Sequence, residues 1–567
     1  MSSLTRYLCI PVIIFMVGLS SSALAAPPNI VLLLTDDQGF GDLGHTGNPI
    51  LKTPAIDAFA QESIEFRKFY VSPVCTPTRA SLMTGRYNYR TGAIDTWKGL
   101  ATMHQDEMTL AEVLKKEGYA TGLFGKWHLG DTYPYRPQDQ GFDTVLMHRG
   151  GGIGQPSDPP GNTYFNPYLT LNGQMQEFEG YCMDIYTDHT LAFIEANQDQ
   201  PFFAYLATNT PHTPLQVPEK YSQPYLDAGV PEKTSLIYGM VANIDENFKR
   251  VLDKLDELNL TENTIVIFMS DNGPKVFSDA RHVAGMRGEK TQIYEAGIRS
   301  PFFFRWPATF DSPRQIDTIA AHIDLMPTLL EACGLDSSSS DFDGANLLPL
   351  MKEASADWPN RTLFMQWHRG APPAPYCNFA AIEDRYKLLQ QNNAKDPKKP
   401  VIFELYDLQK DPSETVNLAE THPEIVNRIR LAYDKWFEDV SSTRGYPEMP
   451  SHIGSHNENP VLLTHQDRMS GKIWGVSDYY SDAFWPIEIL QDGDYQVTFD
   501  LYSEQEDDAT AVLNIGDQEF TTEIASGSTE GVFKKLPLKK GTARLTAKIN
   551  SSSKSSSPRF VELEWLP

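Results

Sequence analysis

Two apolar runs far apart in this chain each end in oxygen donors. Pro28-Asn29-Ile30-Val31-Leu32-Leu33-Leu34-Thr35 is followed by Asp36-Asp37, and Thr264-Ile265-Val266-Ile267-Phe268-Met269-Ser270 by Asp271-Asn272. Carboxylates and an amide suit a hard cation, Ca²⁺ or Mg²⁺, rather than zinc. A cysteine stands in the stretch Val74-Cys75-Thr76-Pro77-Thr78-Arg79. Pro77 stops a strand and fits the first turn of a helix, and Ala80 to Met83 are good helix formers. Cys75 is therefore expected at a helix N-terminus, where free N–H groups and the dipole favour an anion. Proton-transfer and charge-neutralising groups follow. Lys126 and His128 lie in Gly125-Lys126-Trp127-His128-Leu129-Gly130, His212 lies in Thr210-Pro211-His212-Thr213-Pro214, and Lys290 closes Arg287-Gly288-Glu289-Lys290. Each has a plainer reading: an inert buried thiol, a solvated Asp turn, a surface Lys, a structural His. Their coincidence in one chain carries the chemical reading.

Elements must bring these groups together. The runs ending at Thr35 and Ser270 are short, continuous and rich in Val and Ile, as strands buried on both faces are. Pro201 to Ala207 and Tyr119 to Phe124 read the same way, and Thr109 to Glu117 and Leu236 to Leu258 carry helical spacing. Ligands in open α/β sheets sit beyond the carboxyl ends of such strands, which is where Asp36, Asp37, Asp271, Asn272 and His212 fall. If the segment after Phe124 is extended, Lys126 and His128 point to one side. The glycine-rich Arg149 to Gly154 lacks the Gly-Lys-Ser/Thr of a phosphate loop and reads as a loop that can border the cleft.

The chain has 567 residues and a formal net charge of −26. That balance argues against a nucleic-acid partner, and it requires a local basic pocket for any polyanionic substrate. Residues 1–25 read as a secretory signal peptide: Arg6, an apolar run from Leu8 to Leu19, then Ala23-Leu24-Ala25. Export to the periplasm or the medium is expected, with no membrane span once the signal is removed. Past it, Cys75, Cys182, Cys333 and Cys377 are too few for a disulfide framework, and no Cys/His spacing suggests zinc.

The stretch Cys75-x-Pro-x-Arg79 resembles the signature of the type I, formylglycine-dependent sulfatases, arylsulfatase-like members of the alkaline phosphatase superfamily. Gly125 to Gly130 resembles the family's second signature, and His212 and the segment around Lys290 have matching stations. So do Ala321 to Thr328, read as structural, and the strand and turn Tyr406-Asp407-Leu408 and Asp411-Pro412-Ser413-Glu414. The likeness spans roughly residues 28 to 445. It implies oxidation of Cys75 to formylglycine by a maturation enzyme. It also implies one calcium ion, with Mg²⁺ the lesser alternative, on Asp36, Asp37, Asp271, Asn272 and the oxidised Cys75. Arg79, Lys126 and Lys290 would neutralise charge, His128 would act as base and His212 as acid. The implied activity is hydrolysis of sulfate esters, on a sulfated poly- or oligosaccharide. The alternatives are a formylglycine-dependent phosphonate or phosphate ester hydrolase and an inactive sugar-binding relative. Trp97, His104, His148, Arg149, Trp367, His368 and Arg369 are candidate sugar contacts.

The expected fold is α/β: a large mixed sheet flanked by helices at 26–340, a smaller antiparallel α+β subdomain at 341–445, and a C-terminal β-sandwich within 446–567. The sandwich is marked by strand-like pieces from Pro486, Asp494, Thr510, Thr542 and Arg559, after a linker.

Overall fold

The computed structural model describes residues 26–310, 313–336, 341–353, 358–391, 400–470, 483–552 and 554–567. The expected signal peptide and residues 337–340, at the expected boundary of the smaller subdomain, lie outside the described residues.

The apolar runs form the middle of a ten-stranded sheet. Asn29–Thr35 pairs in parallel with Phe202–Ala207 on one side and Thr264–Ser270 on the other, so that Leu33 lies opposite both Leu206 and Phe268. Ala120–Lys126 continues the parallel series between Phe202–Ala207 and Thr144–His148. Antiparallel pairs begin on either side, at Phe302–Arg305 and at Tyr168–Leu171, and make the sheet mixed. Parallel pairing puts the carboxyl ends of the five central strands on one edge.

Alternation along Asn29–Thr35 divides the core. Ile30, Leu32 and Leu34 pack on one face with Ala80, Leu82 and Met83 of the helix Cys75–Thr84. Val31 and Leu33 pack on the other with Met240, Ile244, Phe248, Val251 and Leu255, one stripe of the helix Glu232–Glu257. Each such side chain, fully buried, contributes roughly 1.5–3 kcal/mol. Two buried faces explain why the strand is apolar throughout rather than alternating. Every residue of the helix Cys75–Thr84 is buried. It starts from extended Val74 and stops at Gly85, whose φ of 68° lets its N–H reach the Ser81 carbonyl.

Leu363–Gln366, Phe379–Ile382, Tyr386–Gln390 and Glu404–Asp407 form a four-stranded antiparallel sheet. The helix Pro423–Ser442 packs in its core through Ile429, Tyr433, Trp436 and Val440, with Trp436 stacked on Phe364 at 4.9 Å. Two further sheets, of six and four strands, enclose one core containing Trp485, Tyr495, Phe499, Leu513 and Leu563. The five strands marked in the sequence are all present there. Five others were not marked: Ser451–Ile453, Val461–Leu463, Gln518–Ile524, Glu530–Leu538 and the two-residue Ser555–Ser556. The first two are only three residues long and show no period. Glu530–Leu538 is broken by a bulge at Lys534-Lys535, where Lys535 has φ 56°. The stretch read as a linker thus supplies a strand to each sheet. No described helix is long and apolar enough to cross a membrane, and the four described cysteines are unbridged.

Candidate active site

The common edge of the central strands gathers the oxygen donors. Asp36 and Asp37 follow Thr35, and Asp271 and Asn272 follow Ser270, its register partner. Asp37 takes φ 64°, a left-handed conformation uncommon outside glycine. It thereby breaks the alternation that would send adjacent side chains to opposite faces. The Asp37 N–H donates to Asp271 Oδ1 at 3.2 Å, and Asn272 Nδ2 donates to Asp37 Oδ1 at 2.8 Å. Asp36, Asp271 and Asn272 are fully buried.

Cys75 opens its helix at this edge, 2% exposed. Asp36, Cys75 and Asp271 offer ligand atoms within 4.8 Å of one another, and so do Asp36, Asp37 and His212. Behind them, Arg79 Nη2 donates to Asp271 Oδ2 at 2.8 Å and Nη1 to the Lys126 carbonyl at 2.8 Å. Lys126 Nζ donates to Asp36 Oδ2 at 2.7 Å, and Lys290 Nζ to Asp37 Oδ1 at 2.6 Å.

These charges set the protonation states. Burial alone would raise Asp36, but Lys126, His212, Arg79 and Lys290 hold it below the usual carboxylate range. Asp37 is lowered in the same way, against its burial, chiefly by Lys290 and His212. Asp271 is pushed up to about 7 by burial and by Asp36, despite Arg79. Burial also raises the Cys75 thiol, although Lys126 and Lys290 oppose it.

The oxygen donors fit a divalent cation on a specific ground. Asp36 Oδ1 and Asn272 Oδ1 are buried acceptors with no hydrogen-bond partner, a costly state unless a positive group faces them. A thiol at position 75 does not fit a hard ion; an oxygen there does.

The two histidines differ in tautomer. His128 Nε2 lies 2.8 Å from the Thr96 carbonyl, which can only accept, so the proton sits on Nε2. The lone pair on Nδ1 then faces Cys75 Sγ at 3.3 Å. Burial, then Lys126, keeps this ring neutral well below its ordinary value. His212 Nδ1 donates to the Thr213 carbonyl at 2.7 Å, and its Nε2 points toward Asp37 Oδ2 at 3.8 Å. Burial and Lys290 lower it, against Asp36 and Asp37.

A cleft of ≈ 220 Å³ opens over Cys75, His128, His212 and Lys290. Its walls include Trp97, Gly151, Gln155, Arg369, His465 and Gln466. The structure brings together all the site residues read from the sequence, with two corrections. The strand runs on to Lys126, and His128 has φ 62°, so the pair is joined by a left-handed turn rather than by extended alternation. Arg79 and Lys126 are fully buried, and their salt bridges to Asp271 and Asp36 hold them behind the cleft. Of the candidate sugar contacts, only Trp97 and Arg369 line the cleft. His148, Trp367 and His368 are buried, and Trp367 Nε1 is spent on Asp95. His104 pairs with Asp106, and Arg149 reaches the Leu462 carbonyl. Gln155, His465 and Gln466 were not foreseen. Gln155 belongs to the loop already marked as a cleft border, while nothing local marks His465 or Gln466.

A carboxylate-rich site with a helix N-terminus and flanking lysines, at the carboxyl edge of a mixed α/β sheet, defines a hydrolase of anionic esters. The comparisons narrow that class. The sulfatase family matches residues 28–335, and the C-terminal family of N-sulphoglucosamine sulphohydrolase matches 288–435. Human (Homo sapiens) arylsulfatase A is 31% identical over 495 residues, 78% of this chain and 93% of that protein. Dog (Canis lupus familiaris) N-acetylgalactosamine-6-sulfatase is 33% identical over 363 residues, 59% of this chain and 68% of that protein. The crystal structure of Ps i-CgsB superposes with a TM-score of 0.66 at 27% identity, covering 74% of this chain and 94% of that one. The chain belongs to the sulfatase family, within the alkaline phosphatase superfamily, and is a sulfuric ester hydrolase.

Proposed function

We propose that this enzyme removes sulfate from a sulfated poly- or oligosaccharide outside the cytoplasm. In this reading a maturation enzyme oxidises Cys75 to formylglycine, and Asp36, Asp37, Asp271 and Asn272 hold one calcium ion. The observation that carries it is the pair of unpartnered oxygens, Asp36 Oδ1 and Asn272 Oδ1, buried beside Cys75. When bound, the cation supplies Lewis-acid stabilisation of anionic oxygens. The hydrated formylglycine supplies an oxygen nucleophile and a second hydroxyl through which the product sulfate can leave without another attack at sulfur.

The remaining work falls to residues in place. His128 Nδ1, unprotonated and aimed at position 75, takes the hydroxyl proton there. His212 Nε2 gives a proton to the departing alcohol. Burial and Lys290 lower the affinity of His212 for that proton, while Asp36 and Asp37 favour its being held. Lys290 in the cleft wall offsets the sulfuryl charge. Arg79 fixes the Asp271 carboxylate through Nε and Nη2.

The saccharide assignment has support from what relatives bind or act on. One is named for N-acetylgalactosamine-6-sulfate chemistry, and Ps i-CgsB has been crystallised with k-i-k-neocarrahexaose at 26% identity. Export rests on residues 1–25. The test is the mass of the Cys75 peptide from active enzyme, which is expected to lose sulfur and two hydrogens and gain one oxygen. Cys75→Ala is expected to lower kcat/KM at least ~10²-fold on sulfate esters. Full activity with an intact thiol would sink the mechanism.

A further inference from the structure

The C-terminal sandwich lies outside both family matches, which end at residues 335 and 435, yet it reaches the active site. Its leading segment is held along the loops that follow Ala120–Lys126. Ser451 Oγ meets Thr132 Oγ1 at 2.8 Å, the His452 N–H donates to the Tyr133 carbonyl at 3.0 Å, and Glu458 accepts from the Tyr133 N–H at 2.6 Å. Arg136 Nη2 donates to the Asn457 carbonyl at 3.1 Å. Beyond Val461–Leu463 the turn Thr464–Asp467 is pinned from inside. Asp467 Oδ2 accepts from both the N–H and the hydroxyl of Thr464 at 3.0 Å, and Trp485 Nε1 donates to the Thr464 carbonyl at 2.7 Å. The turn presses on the loop that carries Thr96 and Gly99. The Gly99 N–H donates to the Gln466 carbonyl at 2.7 Å, and a Cβ on Gly99 would lie 2.3 Å from Met469 Cγ.

Two side chains on this turn, His465 and Gln466, face the cleft. Gln466 Nε2 donates to the Thr96 carbonyl at 3.0 Å, the same oxygen that accepts from His128 Nε2 at 2.8 Å. A carbonyl oxygen has two acceptor sites, and here one is filled by the sandwich and the other by the base. His465 lines the cleft with Trp97 and Arg369, and its Nε2 pairs with the Tyr502 hydroxyl. Burial and Arg468 hold it down to about 4. It is thus neutral at neutral pH, suited to a sugar hydroxyl rather than to the sulfate.

We propose that the turn Thr464–Asp467 completes the substrate cleft, with His465 a specificity-determining contact to the sugar and Gln466 a positioning residue for His128 through the Thr96 carbonyl. This rests on the sulfated-saccharide reading above and adds the sandwich to the machinery that reads the saccharide.

The experiment compares full-length His465→Ala, His465→Asn and Gln466→Met with wild type, all after metal loading and with melting temperatures measured. The probes are 4-nitrophenyl sulfate and a panel of sulfated oligosaccharides that includes neocarrahexaose, used as substrates or as competitors. His465→Ala is expected to lower the saccharide-to-aryl ratio of kcat/KM, or saccharide competition, about tenfold. His465→Asn, which keeps a donor and an acceptor, recovers part of it. Gln466→Met is expected to lower kcat about tenfold on both ester types with KM little changed, and to alter the pH profile of kcat/KM. If wild type cleaves no sulfate ester, the functional reading itself fails. If wild type is active but no saccharide competes, or if folded His465→Ala leaves the ratio within twofold, the specificity role is overturned. A folded Gln466→Met with unaltered kcat and pH profile overturns the positioning role.

Discussion

At Cys75 the thiol is poorly suited to its own surroundings. Burial raises its pKa, two carboxylates, Asp36 and Asp271, lie nearby, and the facing base is already neutral with its lone pair aimed at position 75. An oxygen at position 75 suits a hard cation where sulfur does not. Asp271, held up near 7 by burial and by Asp36, indicates negative charge that Arg79 does not fully balance. Chelation should therefore abolish turnover, and calcium should restore it more fully than magnesium, as a steady-state assay with EDTA and back-titration would register. Asp271→Asn should weaken that restoration by at least ~10-fold, since it removes one charged oxygen donor. Gly151 gives a separate check. A Cβ there would approach Gln155 Oε1 at 2.9 Å and His128 Cε1 at 3.0 Å, so Gly151→Ala is expected to lower kcat about 3–10-fold by displacing the ring.

At the scale of elements, the helix Leu110–Lys116 shows how local signals fix a boundary. Thr109 Oγ1 accepts from the Glu112 N–H at 3.1 Å, and Glu112 Oε2 accepts from the Thr109 N–H at 2.8 Å, a complete capping box. Thr109 Oγ1 also donates to the Gln140 carbonyl at 2.8 Å. Thr109→Ala should cost about 1–2 kcal/mol in denaturant unfolding; no loss would mean the cap is replaced by water. The strands were legible for a related reason. Asn29–Thr35 and Thr264–Ser270 are buried on both faces, so nearly every position is apolar and the run stands out. Val461–Leu463 was not legible because three residues cannot show a period. Glu530–Leu538 was hidden by its bulge, which interrupts the alternation that would have marked it.

At the scale of the molecule, a buried acidic layer joins the sandwich to the sulfatase fold. Asp131 accepts from the Gly150 N–H at 2.6 Å, and burial, then Asp467, pushes it up to about 7. Burial likewise raises Asp158 to about 7, and it raises Asp467 as well. A carboxyl whose folded pKa exceeds its unfolded value binds more protons when folded. Its contribution to stability is complete below about 4 and is lost as pH rises through about 7. Thermal stability should therefore decline between those limits through this layer, against whatever other groups add. Asp131→Asn keeps an acceptor for Gly150 and removes the charge, so it should raise stability at pH 8 by about 1–3 kcal/mol and do little at pH 4. Melting curves at the two pH values decide this; equal shifts at both would refute the linkage.

The sequence by itself determined the strands of the central sheet, the helix that begins at Cys75, and the residue types of the site, because each is set by local pattern: apolar runs, a proline in a first turn, paired carboxylates. The tertiary structure alone decided how those residues divide their labour. Parallel pairing of Asn29–Thr35 with Thr264–Ser270 aligned two carboxylate pairs separated by more than two hundred positions. Burial moved Arg79 and Lys126 behind the cleft, and the left-handed turn at His128 set which nitrogen faces Cys75. The sandwich contributed Gln466 and His465, whose significance lies in distance to Thr96 and the cleft rather than in any neighbouring residue. Such contacts are long-range, and no spacing along the chain encodes them.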